Sequence, residues 1–147
     1  MRGLLVTVGQ RQWAVHLERA QEVLFCPTIT CVPLSSEAIL GVCNRRGEVL
    51  PVVSLPAACG LATVTEDERQ ARWVVVVDTH FGPAGVAVTD VPSTIDLGEE
   101  VGPGEGLGVV ALYRLPAERE GRPVALLDLT EILTPVRLAA GPTGGVR

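Results

Sequence analysis

Lysine is missing altogether: all 12 basic residues of this 147-residue chain are arginine. An arginine here can therefore reflect a sequence-wide habit before it reflects a need for a planar guanidinium. Aromatic residues amount to only 3%, the net charge is −5 and the isoelectric point is near 5.0. That composition offers neither a cationic footprint for phosphates nor a stacking platform for bases, and so argues against nucleic-acid binding. No apolar run approaches the roughly 18 residues that span a bilayer. The opening MRGLLVTVGQRQW meets Gln10 and Arg11 too soon to provide a secretory core. A cytoplasmic protein with no direct membrane insertion is expected.

Closely spaced cysteine pairs are also missing. Cys26, Cys31, Cys43 and Cys59 contain no C-x-x-C, and the C-x₄-C of Cys26 and Cys31 lacks a second close pair, a poor frame for zinc. Their neighbours are Val, Ile, Leu and Phe, so the thiols read as core packing in a reducing compartment, with no metal or cofactor. Catalytic groupings are absent too. His16 and Glu18, two apart on an expected strand, share one face, which reads as a solvated strand face. His80 lies in a turn, and Ser35, Ser36, Ser54 and Ser93 have no G-x-S-x-G context. Glu99 and Glu100 adjoin a glycine-rich loop, but GPGEGLG follows no clear strand and opens no helix, so it is not a phosphate cradle. Nothing assembles a nucleophile, a base and an oxyanion site, and an enzyme is not expected.

What is present is a large apolar content, 47%, in short alternating runs. GLLVTVG at 3–9 and QWAVHLE at 12–18 read as paired strands, since Trp13, Val15 and Leu17 alternate with Ala14, His16 and Glu18. Residues 40–44 and 48–53 form the next hairpin, with Asn44 and Gly47 at the first and fourth places of its turn. LPAACGL, 55–61, reads as a helical turn closed by Gly60. Charge rises over 62–71, ATVTEDERQA, which reads as a linker. Strands then recur at 72–78 and 85–91, with STIDL at 93–97 continuing the series, and at 109–115 and 122–129, with 98–108 as a glycine-rich loop. DLTEILTPVRL closes the series with Leu129, Ile132, Leu133 and Val136 on one helical face. The two series match in layout, each opened by a hairpin and ended by a short helix. Duplicated β-units of this size bury their apolar faces poorly alone, so two small barrels packed together, with a groove between them, are expected. The expected units are a first subdomain at about 1–61, the linker, and a second at about 72–138. A mobile tail at 139–147 completes the chain.

The stretch GVCNRRGEVLPVVSL, 41–55, sets two adjacent arginines on a turn between apolar runs. One reading is an ordinary solvated turn in a chain without lysine. Two details favour docking. Asn44 is the only asparagine, and EVLPVVSL is apolar on both faces, so the ribbon must be covered on two sides and its tip held rigidly. Arginine is over-represented among energetically important protein contacts.

At these residues the chain resembles the CheW family, the coupling proteins of bacterial chemotaxis-like signalling, with its pattern of roughly G-V-x-N-x-R-G-x-x-x-P-V-V-D-L. WAVHLERAQEVLF, TCVP and AILG precede the motif in family order. GVAVTDV and VALLDLTEIL resemble the family's later segments, so the likeness covers about residues 3–138. It implies a mainly β fold of two SH3-like five-stranded β-barrel subdomains around a shared hydrophobic core, with a short C-terminal helix. It implies no catalysis. The implied partners are the cytoplasmic tips of chemoreceptors, the regulatory domain of a CheA-type histidine kinase and other CheW-like proteins. The matching positions are Glu22 and Val23, Gly41, Asn44, Arg46 and Gly47, with Glu22 and Arg46 expected to share an exposed ion pair beside the docking surface. The chain departs from the pattern at Ala20 (usually valine, a loss worth up to ~1.5 kcal/mol of contact), Arg45 (commonly leucine), Ser54 (aspartate) and Pro56 (often basic), and its 98–108 loop is compact. These departures leave open an accessory adaptor that keeps the receptor interface but not the kinase one. A small-ligand or metal-binding β-barrel is the alternative of another class.

Overall fold

Residues 74–77 are four consecutive valines, all buried. A strand with both faces apolar is stable only between two layers, and this one organises the molecule. The computed structural model describes residues 1–25, 27–32, 38–60, 68, 71–104, 108–116 and 122–133. The strands in order are β1 (Arg2–Val8), β2 (Arg11–His16), β3 (Ala20–Phe25), β4 (Ile39–Arg45), β5 (Glu48–Val53), β6 (Trp73–Thr79), β7 (Gly82–Val88), β8 (Ser93–Asp96), β9 (Glu100–Gly102), β10 (Val109–Arg114) and β11 (Pro123–Leu127). A 3₁₀ turn, Leu17–Arg19, joins β2 to β3, and a one-turn helix α1, Leu55–Ala58, follows β5.

The strands make two sheets, one of six in the order β8-β1-β2-β11-β10-β9 and one of five in the order β3-β6-β7-β5-β4. Val74 and Val76 face a core inside the five-stranded sheet with Leu40, Cys43, Leu50, Val52 and Ala87. Val75 and Val77 face a second core between the sheets, with Leu4, Val6, Trp13, Val15, Val86, Val88, Leu127 and Ile132. A third core, of Leu5, Ala14, Ile95, Leu97, Leu115, Val124 and Leu126, lies inside the six-stranded sheet. The mainly β architecture with two sheet subdomains and a shared core is thus present.

The sheets do not follow the chain's division at 62–71. β1 and β2 join the C-terminal strands through the β2–β11 parallel pair, and β6 and β7 join β3–β5 through the β5–β7 parallel pair. The physical reason is β6: its two-sided burial places it beside β7 in the interior of the five-stranded sheet, whatever its place in the sequence. Most of 62–71 and all of 139–147 lie outside the described residues.

Two strands were not expected. β3 carries apolar Val23 and Phe25 on its exposed side and Glu22 on its half-buried side, which hides the alternation. β9 interrupts the expected 98–108 loop by pairing with Leu112 and Tyr113. Glu18 lies in the 3₁₀ turn rather than on a strand with His16, because the chain leaves the sheet after His16. The two helical turns stand where expected. Ser54 caps α1 by accepting from the Ala57 N–H at 3.3 Å, a role its aspartate counterpart could also fill. Asp128 accepts from the Thr130 N–H at 2.9 Å and opens the helical turn at 129–133, where Leu129, Ile132 and Leu133 are buried. Val136 lies outside the described residues.

The five-stranded sheet curls until its edges approach. β3 is one edge and β4 the other, yet Thr30, shortly after β3, exchanges two backbone hydrogen bonds of 2.8 Å with Val42 of β4. In the six-stranded sheet, β8 pairs with β1, while the Gly98 N–H just beyond it donates to the Arg114 carbonyl of β10. Gly41 permits the Thr30 approach: a Cβ there would stand 2.3 Å from the Thr30 carbonyl oxygen, on a backbone with φ of 154°. Gly41→Ala is therefore expected to lose about 2 kcal/mol of stability, roughly 4–8 °C in Tm. An unchanged thermal transition would contradict this role.

Candidate protein-docking site

The site begins with the pleat of β3. A bulge between Ala20 and Glu22 sets the register against β6, after which Glu22 pairs with Val76 and Val23 with Val75. Paired residues share a face, so Glu22 and Leu24 point toward the inner core of the five-stranded sheet, while Ala20, Val23 and Phe25 point the other way. On β4 the same alternation sends Cys43 and Arg45 inward. Because the sheet curls, the inner faces of these two edge strands meet at its mouth.

There the Glu22 carboxylate is shared by two arginines. Arg45 Nε donates to its Oε1 at 2.5 Å and Arg46 Nη2 to its Oε2 at 3.2 Å. The Glu22–Arg46 neighbourhood expected from sequence is thus present, but the tighter partner is Arg45. The side chains are 15% exposed for Arg45, 24% for Glu22 and 77% for Arg46. Arg45 closes the mouth of the core, and Arg46 reaches into solvent.

The turn that separates them is strained. Arg45 pairs with Glu48, so the loop is the two residues Arg46 and Gly47. Both have positive φ, 53° and 86°, the signature of a type I′ hairpin turn. The turn therefore sits one residue later than expected: Asn44 precedes it rather than opening it, and its Oδ1 accepts from the Gly47 N–H at 2.8 Å. Among the described residues, Arg46 is the only non-glycine with positive φ. That conformation costs an L-residue about 1–2 kcal/mol. The Asn44 brace and the Glu22 contact hold the tip in place.

Of the other positions singled out in the sequence, Gly41 lies along β4, away from the tip, and acts through Thr30. Ala20 is half-buried against the core between the sheets. Val23 is 42% exposed, and beside it Phe25 is 62% exposed with its ring 4.8 Å from that of Trp73. Phe25 and Trp73 were not anticipated. The signal that could have found them is the period-two apolar set Val23, Phe25 on a strand whose other face carries Glu22. An apolar strip thus runs along the outer face of β3, behind the edge that carries the charged cluster.

Other chemistry is sparse. A cavity of about 70 Å³ lies between the sheets, lined by His16, Arg19, Asp78, Asp128 and apolar neighbours. It lies well below the ~300–1,000 Å³ of sites for drug-sized ligands. Among the described residues no three of His, Cys, Asp or Glu gather as a metal site. Burial pushes the thiols of Cys43 and Cys59 up, which disfavours the thiolate that binds metal or attacks carbon. Cys31 is exposed, contrary to the expectation of core packing, because it lies in the irregular segment after Thr30, at the rim of the five-stranded sheet. Cys26 lies outside the described residues.

Comparison with known proteins identifies the family and the fold. The model of the CheW-like domain matches residues 2–136. Similar proteins include a chemotaxis protein CheW of Rhizobium meliloti, 25% identical over 134 residues, covering 85% of this chain and 82% of the relative. Another is a chemotaxis protein CheW of Klebsiella aerogenes, 26% identical over 143 residues, covering 92% and 83%. The crystal structure of the scaffolding protein TtCheW from Thermoanaerobacter tengcongensis shares the fold, with a TM-score of 0.74 at 18% identity over 90% of this chain and 86% of that one.

The two arginines are expected to separate in a stability assay. Arg45→Ala removes the inner of the two partners of half-buried Glu22, together with the side chain that closes the mouth of the core, and should cost about 1–2 kcal/mol in urea unfolding. Arg46→Asn removes an exposed contact but suits the turn better, and should leave stability level or raise it by up to ~0.5–1 kcal/mol. Equal losses would contradict the assignment of inner and outer roles.

Proposed function

Since the chain belongs to the CheW-like domain family, we propose that it is a non-catalytic cytoplasmic adaptor. On this reading it couples the cytoplasmic tips of chemoreceptors to the regulatory domain of a CheA-type histidine kinase. The relatives' names supply the setting, chemotaxis, and the name of the solved structure supplies the mode, scaffolding. The observation that carries the reading for this chain is the hairpin tip. A guanidinium 77% exposed is held at a strained φ of 53° by a bracing asparagine, beside an apolar strip. A turn shaped for stability alone would place Asn or Gly where Arg46 stands. Strain retained at an exposed polar residue fits a contact made with another molecule.

The mechanism is geometric. Val23, Phe25 and Trp73 offer apolar area that gains from losing water, about 25 cal/mol per Å² covered. The rigid tip adds direction, because a guanidinium fixes both angle and distance to its acceptor. An adaptor that binds both partners transmits a signal by holding kinase and receptor in one arrangement; no bond is made or broken.

Separate calorimetric titrations with a soluble receptor-tip fragment and with an isolated kinase regulatory domain test the proposal. Micromolar or tighter binding to both is expected, and Arg46→Glu should weaken at least one by tenfold or more. Binding to the receptor fragment alone would establish the accessory adaptor instead. Binding to neither would overturn the reading.

A further inference from the structure

Two guanidiniums set against one carboxylate leave a surplus of donors at the hairpin tip, and the geometry decides which arginine keeps it. Arg45 approaches Glu22 at 2.5 Å from the inner side, with only 15% of its side chain exposed. Arg46 reaches Glu22 through one terminal nitrogen at 3.2 Å, with 77% of its side chain exposed. Charges interact more strongly as water is excluded, so Glu22 is coupled more firmly to Arg45 than to Arg46. A guanidinium carries five N–H donors, and among the described residues Arg46 uses one of them. Its remaining edge faces solvent. Glu48, the carboxylate on the hairpin itself, is exposed, and among the described residues both arginines form their ion pairs with Glu22 instead.

We propose that Arg45 is a positioning residue: by holding the Glu22 carboxylate toward the core, it keeps Arg46 from being neutralised and so presents that guanidinium to a carboxylate of the docked protein. The inference rests on the docking function proposed above and adds the chemistry of the contact. The docked surface carries Asp or Glu at that point, matched by the paired N–H geometry of arginine. Without Arg45 the Glu22 side chain is released to turn outward and form a two-bonded pair with Arg46. The same guanidinium would then be consumed within the protein.

The test uses the full chain and the two partner fragments, with Kd measured at 50 and 300 mM NaCl. Arg46→Gln is expected to weaken binding by roughly tenfold and to flatten its salt dependence. Arg45→Leu, which leaves Arg46 in place, should weaken binding about fivefold and flatten the salt dependence likewise, and Arg45→Gln should behave the same way. Adding Glu22→Gln to Arg45→Leu frees Arg46 again and should restore both affinity and salt dependence to near the parent's. A merely structural role for Arg45 gives no such rescue. Parent-like affinity and salt dependence in Arg45→Leu, or absence of rescue in the double variant, overturns the inference while the docking function stands. Absence of binding by the parent chain to either fragment overturns both. Circular dichroism and thermal unfolding confirm that each variant is folded.

Discussion

Two-sided burial of β6 is the constraint from which the remainder follows. Its valines face alternately into the core between the sheets and the core within the five-stranded sheet, so neither layer is stable without the other. Covering one face of β6 with a sheet that also packs against a second sheet forces curvature, and curvature brings the edges β3 and β4 together. Edge strands normally expose unpaired backbone groups and invite association. Here the edges are tied by the isolated Thr30–Val42 bridge just beyond β3 and by the Glu22–Arg45 pair at the mouth. The charged pair that reads as a surface detail in the sequence is therefore part of how the sheet is finished.

That closure also divides labour between neighbouring arginines. Arg45 ends β4 facing inward; one residue later the chain is in a left-handed turn and Arg46 faces out. Strand alternation and the hand of the turn together give adjacent, identical side chains different surroundings. Natural proteins commonly retain local strain where function needs it and offset it elsewhere. The tip fits that pattern: Asn44 braces it on one side, Gly47 supplies the second positive φ, and the exposed arginine occupies the strained position itself.

Much of this was legible in the residues. The hairpins at β1–β2, β4–β5, β6–β7 and β10–β11 follow from alternation and turn residues, and the capped turns at Ser54 and Asp128 follow from local chemistry. The motif around Gly41–Gly47 marked the braced hairpin tip. What escaped is instructive. β3 escaped because an inward glutamate and outward Val23 and Phe25 invert the expected polarity. The mixing of strands from both halves escaped because parallel pairing between distant segments leaves no local trace. Arg45 was marked as a departure from the family pattern, but its bond to Glu22 depends on the approach of opposite sheet edges, which no spacing along the chain reveals. The glycine at 41 was visible; its reason, the backbone of Thr30 pressed against it, was not.

The most direct measurement of the central claim, that one arginine of the turn is built in and its neighbour is held out, is nitrogen-15 NMR of the arginine Nε–H groups in the unbound protein. Arg45 should give a separate Nε–H signal that exchanges slowly with water and has a high order parameter, because its proton is held by Glu22. Arg46 should exchange rapidly with water, because its side chain is exposed and its Nε–H is not the group held by Glu22. Equivalent fast exchange at both positions, or slow exchange at Arg46 in place of Arg45, would contradict the account.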